Sequence, residues 1–100
     1  MLQAQLFIDA DELQDTTPLY EFILEFLIKQ DIKGATVFIG RLGYGKNQYL
    51  QRPNDLFSFD QIPMMITFID EAECVKKALT ELRKEVKSGF IVTNNVDVWK

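Results

Sequence analysis

The strongest constraint on this chain is a pattern that occurs twice: an apolar strand-like run, an amphipathic helical run and a second strand-like run. In the first block, Leu2, Ala4, Leu6 and Ile8 fall on one side and Gln3, Gln5 and Phe7 on the other, the period of a half-buried strand. Thr17 ahead of Pro18 reads as a hydroxyl N-cap before a proline at the first helical position. Leu19, Tyr20, Phe22, Ile23, Leu24, Phe26, Leu27 and Ile28 then cover more than one stripe, which predicts a helix buried on more than one side. Gly34 ends the following turn, and residues 35–39 read as a second strand.

In the second block, residues 62–69 are apolar at almost every position and predict a third strand. Asp70, with Glu73 three residues on, makes a start resembling a capping box. Val75, Leu79, Leu82 and Val86 step by 4, 3 and 4 along one helical stripe. Ser88-Gly89 closes that helix, and Phe90-Ile91-Val92 opens a fourth strand running toward Trp99.

Two right-handed βαβ units in this order predict an α+β fold: the ferredoxin-like βαββαβ plait, an antiparallel four-stranded sheet with two helices on one face. One hundred residues make a single domain, 1–100. The third strand, Phe7 and Val37 or Phe38 place apolar side chains on both sheet faces, while the helices cover only one. An uncovered apolar face of that size predicts an oligomer.

Charge and composition remove several function classes. Eleven Lys and Arg against fifteen Asp and Glu give a net charge of −4, which argues against a surface built wholly for DNA or an anionic membrane. The chain has no histidine, so His-based triads, His-ligated zinc and imidazole acid–base chemistry are excluded. Its one cysteine, Cys74, cannot form an intramolecular disulfide and lacks a His or Cys partner, so it reads as a packed or partly exposed thiol. The start has no basic signal-peptide region, and no apolar run reaches the ~20 residues of a membrane-spanning helix. A cytoplasmic protein with no direct membrane insertion is the expectation.

Residues 40–61 differ in character from the rest. Gly40, Gly43 and Gly45, followed by Asn47, Gln48, Gln51, Pro53 and Asn54, predict a loop of about twenty residues, a length that in compact domains is usually functional or disordered. Gly40 to Lys46 formally satisfies G-x-x-x-x-G-K, yet Asn47 stands where a P-loop needs a hydroxyl, and no helical pattern follows. The weaker reading is that glycines let successive N–H groups converge on an anion, with Arg41 and Lys46 adding charge. From Ile32 to Asn54 there is no acid, while Lys33, Arg41, Lys46 and Arg52 sum to +4. Such a basic island in an acidic chain suits phosphate.

Asp9, Asp11, Glu12 and Asp15 offer oxygen ligands for a hard cation, against the plainer reading of a solvated approach to a helix N-terminus. Leu6-Phe7-Ile8 is similar to the first signature of an RNA-recognition module, but the third strand lacks the basic, aromatic second signature. Acylphosphatase, a plait of similar length, would want an arginine in the loop after the first strand, where this chain carries acids.

Pro18-Leu19-Tyr20-Glu21 leading into Ile23-Leu24-Glu25, Gly34-Ala35-Thr36-Val37, Gly40, Gly43-Tyr44-Gly45, Ile62-Pro63-Met64-Met65-Ile66, Asp70 and Ser88-Gly89-Phe90-Ile91-Val92 together resemble the PII-like family catalogued as domain of unknown function 190. The resemblance runs from about residue 4 to residue 98, and Gly-Ala-Thr-Val…Gly…Gly-Tyr-Gly is its most specific stretch. It implies a homotrimer whose sheets pack together inside, and a non-enzymatic signalling role. By the same resemblance, residues 41–61 are a T-loop, and adenine nucleotides bind between subunits at its base. Carried over by position, the ligand residues are Gly40, Arg41, Gly43, Tyr44, Gly45 and Lys46, with Ser88 and Gly89 in a second phosphate-contacting turn. PII proteins proper follow that glycine with a lysine, where this chain has Phe90. The partner implied is a regulated protein such as a membrane transporter. No cofactor is required, and nucleic acid is not expected as a partner. The alternatives are a CutA-like trimer holding a divalent cation through Asp9, Asp11 and Asp15, or a structural trimer with no ligand.

Overall fold

A computed structural model describes residues 1–41 and 62–100. The elements run β1 (Leu2–Asp9), β2 (Leu13–Gln14), β3 (Thr17–Pro18), α1 (Leu19–Lys29), β4 (Thr36–Ile39), β5 (Pro63–Asp70), α2 (Ala72–Glu85) and β6 (Phe90–Asn95). Four strands form one sheet in the order β4-β5-β1-β6, every neighbouring pair antiparallel. This is the α+β, ferredoxin-like plait expected from the sequence, with a small β2–β3 hairpin added to it.

The period of two decides which face is buried. Leu2, Ala4, Leu6 and Ile8 of β1 and Met64, Ile66 and Phe68 of β5 join Leu19, Ile23 and Leu27 of α1 and Val75, Ala78 and Leu82 of α2 in one core cluster. Both helices therefore cover the same sheet face. Burial of each large aliphatic side chain contributes about 1.5–3 kcal/mol.

The other face carries a continuous apolar row. The register sets Phe38 opposite Met65, Met65 opposite Phe7 and Phe7 opposite Phe90, one side chain from each strand. Phe7, Phe38 and Phe90 are exposed, and the Phe7 and Phe90 rings lie 6.3 Å apart.

Local details differ from the sequence expectations, each for a physical reason. Thr17 does not cap α1; it pairs with Gln14 in the hairpin, and Pro18 is the N-cap with no side-chain bond. The hairpin turns at Asp15, held at φ 58, and the Leu19 N–H donates instead to the Glu12 carbonyl at 2.8 Å. The stop after α1 is made at Asp31, three residues before Gly34. Asp31 takes φ 62, its N–H donates to the Ile28 carbonyl at 3.0 Å, and the Ile32 N–H donates to the Leu27 carbonyl at 3.1 Å. These are the paired bonds of a Schellman stop, in which a short acidic side chain tolerates the left-handed conformation. Tyr20, Phe22, Leu24 and Phe26 of α1 are partly buried against the core, while Ile28 is exposed.

At the start of α2 the expected Asp70–Glu73 box does not form. Glu71 is the N-cap, and the Asp70 carboxylate instead accepts bonds from the Lys33 N–H at 3.1 Å and the Glu71 N–H at 2.7 Å. Those two bonds tie the approach to β4 to the start of α2. The helix ends at Glu85, several residues before Gly89, and β6 ends at Asn95, leaving Trp99 outside the sheet and exposed.

Candidate functional site

The sheet topology brings the C-terminal ends of β1 and β4 and the N-terminal ends of β5 and β6 to one end. Both described glycine turns from the sequence reading lie there. At the β4 edge, the Gly40 N–H donates to the Pro63 carbonyl at 2.6 Å. A Cβ at Gly40 would sit 2.8 Å from Pro63 Cγ, so the close approach requires glycine. Arg41 follows and is exposed. Gly43, Tyr44, Gly45 and Lys46, with the rest of the expected loop to residue 61, lie outside the described residues.

At the β6 edge, Lys87, Ser88 and Gly89 connect α2 to the sheet. Gly89 takes φ +83, and a Cβ there would meet Ile8 Cγ2 at 3.0 Å and the Phe7 carbonyl at 3.3 Å. Backbone conformation and space both call for glycine. The turn is held by a residue the sequence reading missed. The Arg83 guanidinium donates to the carbonyls of Val86 at 3.2 Å, Ser88 at 2.7 Å and Gly89 at 3.0 Å. In return, Lys87 Nζ donates to the Arg83 carbonyl at 2.6 Å. Basic residues in a last helical turn are common because they complement the helix dipole, so nothing in the spacing marked Arg83 out.

Gly40 and Gly89 therefore share an end of the sheet but occupy opposite edges. Three strand spacings separate them, roughly 14 Å. One phosphate cannot touch both within a protomer.

The acidic segment lies at the same end, between those edges. Asp9 pairs across the sheet with Pro63, its N–H donates to Glu12 Oε1 at 3.1 Å, and the Ala10 N–H donates to the Ile62 carbonyl at 2.8 Å. Gln14 Nε2 donates to the Glu85 carbonyl at 3.1 Å and so docks the hairpin on the end of α2. Asp9, Asp11 and Asp15 are not brought together: among the described residues, no three Asp, Glu, Cys or His side chains are grouped to hold a metal ion. Folding of the segment into a hairpin spreads these carboxylates and engages Glu12 with the backbone.

Cys74 is a free, exposed thiol on the first turn of α2. The two backbone bonds from Lys33 and Glu71, with the Lys33 charge, hold the Asp70 carboxyl below the ordinary carboxylate range. Among the described residues no helix is long and apolar enough to cross a membrane.

The chain is similar to a UPF0166 protein of Aquifex aeolicus, 33% identical over 95 residues that cover 94% of this chain and 89% of the relative. Among solved structures it is similar to CPII, a nitrogen regulatory PII-like protein from Thiomonas intermedia K12 bound to ADP, AMP and bicarbonate. That match has a TM-score of 0.71 and 18% identity, covering 97% of this chain and 86% of the other. A protein from Thermus thermophilus, described as a putative PII-like signaling protein, matches with a TM-score of 0.56 and 18% identity over 93% of this chain and 81% of its own. The model of DUF190, described as "Uncharacterized ACR", matches residues 1–98. With the family model matched over residues 1–98, the chain belongs to the DUF190 family, and its likeness to CPII gives it the PII-like form of the ferredoxin-like fold.

Proposed function

We propose that this protein is a non-enzymatic PII-like regulator that assembles as a homotrimer and binds an adenine nucleotide by its phosphates at subunit boundaries. The observation that carries the reading is the pair of glycine turns at one end of the sheet, each fixed by close backbone contacts. Each is a half-site: Gly40 and Arg41 lie at one edge, with Gly43, Tyr44, Gly45 and Lys46 next in the sequence and outside the described residues, and Ser88 and Gly89 lie at the other. Because ~14 Å separates the edges, a nucleotide gains a second set of contacts when a neighbouring subunit presents its own edge. The exposed row of Phe38, Met65, Phe7 and Phe90 supplies the apolar surface through which copies would join.

The likeness to CPII supports the choice of an adenine nucleotide, since that PII-like protein was solved with ADP and AMP. In this reading, ligand contacts made in only one arrangement of residues 41–61 shift that segment's equilibrium, and the favoured arrangement engages or releases a partner protein such as a membrane transporter. Isothermal titration with AMP, ADP, ATP and cyclic dinucleotides tests the ligand half. Saturable heat is expected for an adenine nucleotide, and no heat from any of them at millimolar concentration sinks it.

A further inference from the structure

We propose that Gln5 is the residue that aligns copies of this chain on one another, its carboxamide bonding to the Gln5 carboxamides of neighbouring copies; this deepens the assembly reading above and rests on it. Strand alternation turns Ala4 and Leu6 into the core and Gln3, Gln5 and Phe7 out to the sheet face that the helices leave open. Beside the aromatic row on that face, the register sets Thr36, Thr67, Gln5 and Val92 side by side, and then Ile69, Gln3 and Asn94. None of the side chains in these three rows is ionisable, in a chain of which 26% of residues are charged. Depletion of charge is the mark of a surface whose centre is buried against a partner.

Within that face Gln5 stands apart. It lies on β1, an inner strand of the sheet, and is half-buried. Its neighbour Thr67 is already engaged: the Thr67 hydroxyl donates to the Ala4 carbonyl at 3.1 Å and accepts a bond from Gln3 Nε2 at 3.3 Å. The neighbour on the other side, Val92, has no polar side chain to offer. Among the described residues, no hydrogen bond reaches the Gln5 carboxamide.

A second copy laid on this face would cover that amide, and a covered amide without a partner opposes assembly. A carboxamide carries both donors and an acceptor, so in a closed ring of copies each Gln5 bonds to the next and no second residue type is needed. An acid or a base at this position could not do the same, since like charges would meet. The contact also fixes alignment, because sliding one copy along another leaves the amide covered and unpaired. The aromatic row supplies adhesion, and Gln5 supplies register.

The experiment is sedimentation and native mass spectrometry of wild type, Gln5→Glu, Gln5→Lys and an equimolar mixture of the two variants. Each variant alone should assemble at least about tenfold more weakly than wild type, and the mixture should recover as mixed assemblies, because opposite charges then meet at position 5. Thr36 lies in the same row two strand spacings away, roughly 10 Å, so mixing Thr36→Glu with Thr36→Lys should restore no assembly that they have lost. Gln5→Leu removes the polar contact but keeps the surface, and should assemble in more than one stoichiometry. A Gln5 mixture no better assembled than its components, equal recovery by the Thr36 pair, or a single stoichiometry in Gln5→Leu would each overturn the proposal. An assembled wild type whose Gln5 variants assemble equally well removes this contact and leaves the assembly standing, whereas a monomeric wild type removes both.

Discussion

Replacing Asp70 by Asn should be among the most damaging single-atom changes in this chain, and the structure sets its size. Asp70 is 1% exposed, and its two carboxylate oxygens accept the Lys33 and Glu71 N–H groups at 3.1 and 2.7 Å. Asparagine keeps one acceptor but turns an NH₂ toward the other N–H, so one of the two bonds is lost. Charge-assisted hydrogen bonds contribute about 1.5–3 kcal/mol each. About 2 kcal/mol is expected for D70N. The Lys33 ammonium is a minor partner: it lies 3.8 Å away with its side chain 79% exposed. Exposed ion pairs of this kind contribute about 0–1 kcal/mol, so Lys33→Ala should cost much less than D70N.

The assay is urea denaturation and thermal melting of wild type, D70N and Lys33→Ala at one protein concentration, because assembly makes apparent stability concentration-dependent. At about 4–8 °C per kcal/mol for a domain of this size, D70N should lower Tm by about 8–16 °C. The pH dependence has a definite sign. The Asp70 carboxyl is held below its ordinary value of 3.8. Its contribution is thus fully present above that value and is lost as pH falls through the lower folded-state value. Wild type and D70N should therefore converge in strong acid and stand furthest apart near neutrality. A D70N variant within about 0.5 kcal/mol of wild type at neutral pH, or a Lys33→Ala variant as damaged as D70N, would refute this reasoning.

Gly89→Ala, strained at φ +83 and with its Cβ 3.0 Å from Ile8 Cγ2, should lose about 1–2 kcal/mol in thermal melts. Cys74→Ser should change stability by under about 0.5 kcal/mol, and the native thiol should react fully with a disulfide reagent without unfolding. Phe7→Lys, a charge placed in the centre of the exposed row, should leave the fold's circular dichroism unchanged while sedimentation shows a monomer.

The architecture was legible because β1 and the two helices obey their own periods. Leu2, Ala4, Leu6 and Ile8 alternate strictly, and of the expected stripe Val75, Leu82 and Val86 are buried, with Leu79 partly buried and Ala78 joining the core beside them. The apolar character of Phe7 and Phe38 likewise announced the second sheet face before the register joined them to Met65 and Phe90. What stayed hidden depended on backbone conformations that several residue types adopt. Asp31, a residue with no glycine signal, ends α1 in a left-handed conformation, and Pro18 caps a helix whose expected cap, Thr17, pairs in a hairpin. At the candidate site, Gly40 and Gly89 were visible because only glycine tolerates their contacts. Arg83 was not visible, since its importance comes from three carbonyls that converge only once the turn is folded.

The direct measurement of a nucleotide site at the subunit boundary is calorimetric titration of ADP into wild type and into Phe7→Lys. A boundary site predicts saturable binding to assembled wild type and at least about a tenfold loss in the monomeric variant. Equal affinity in monomer and assembly, or no heat from wild type at millimolar ADP, would contradict it.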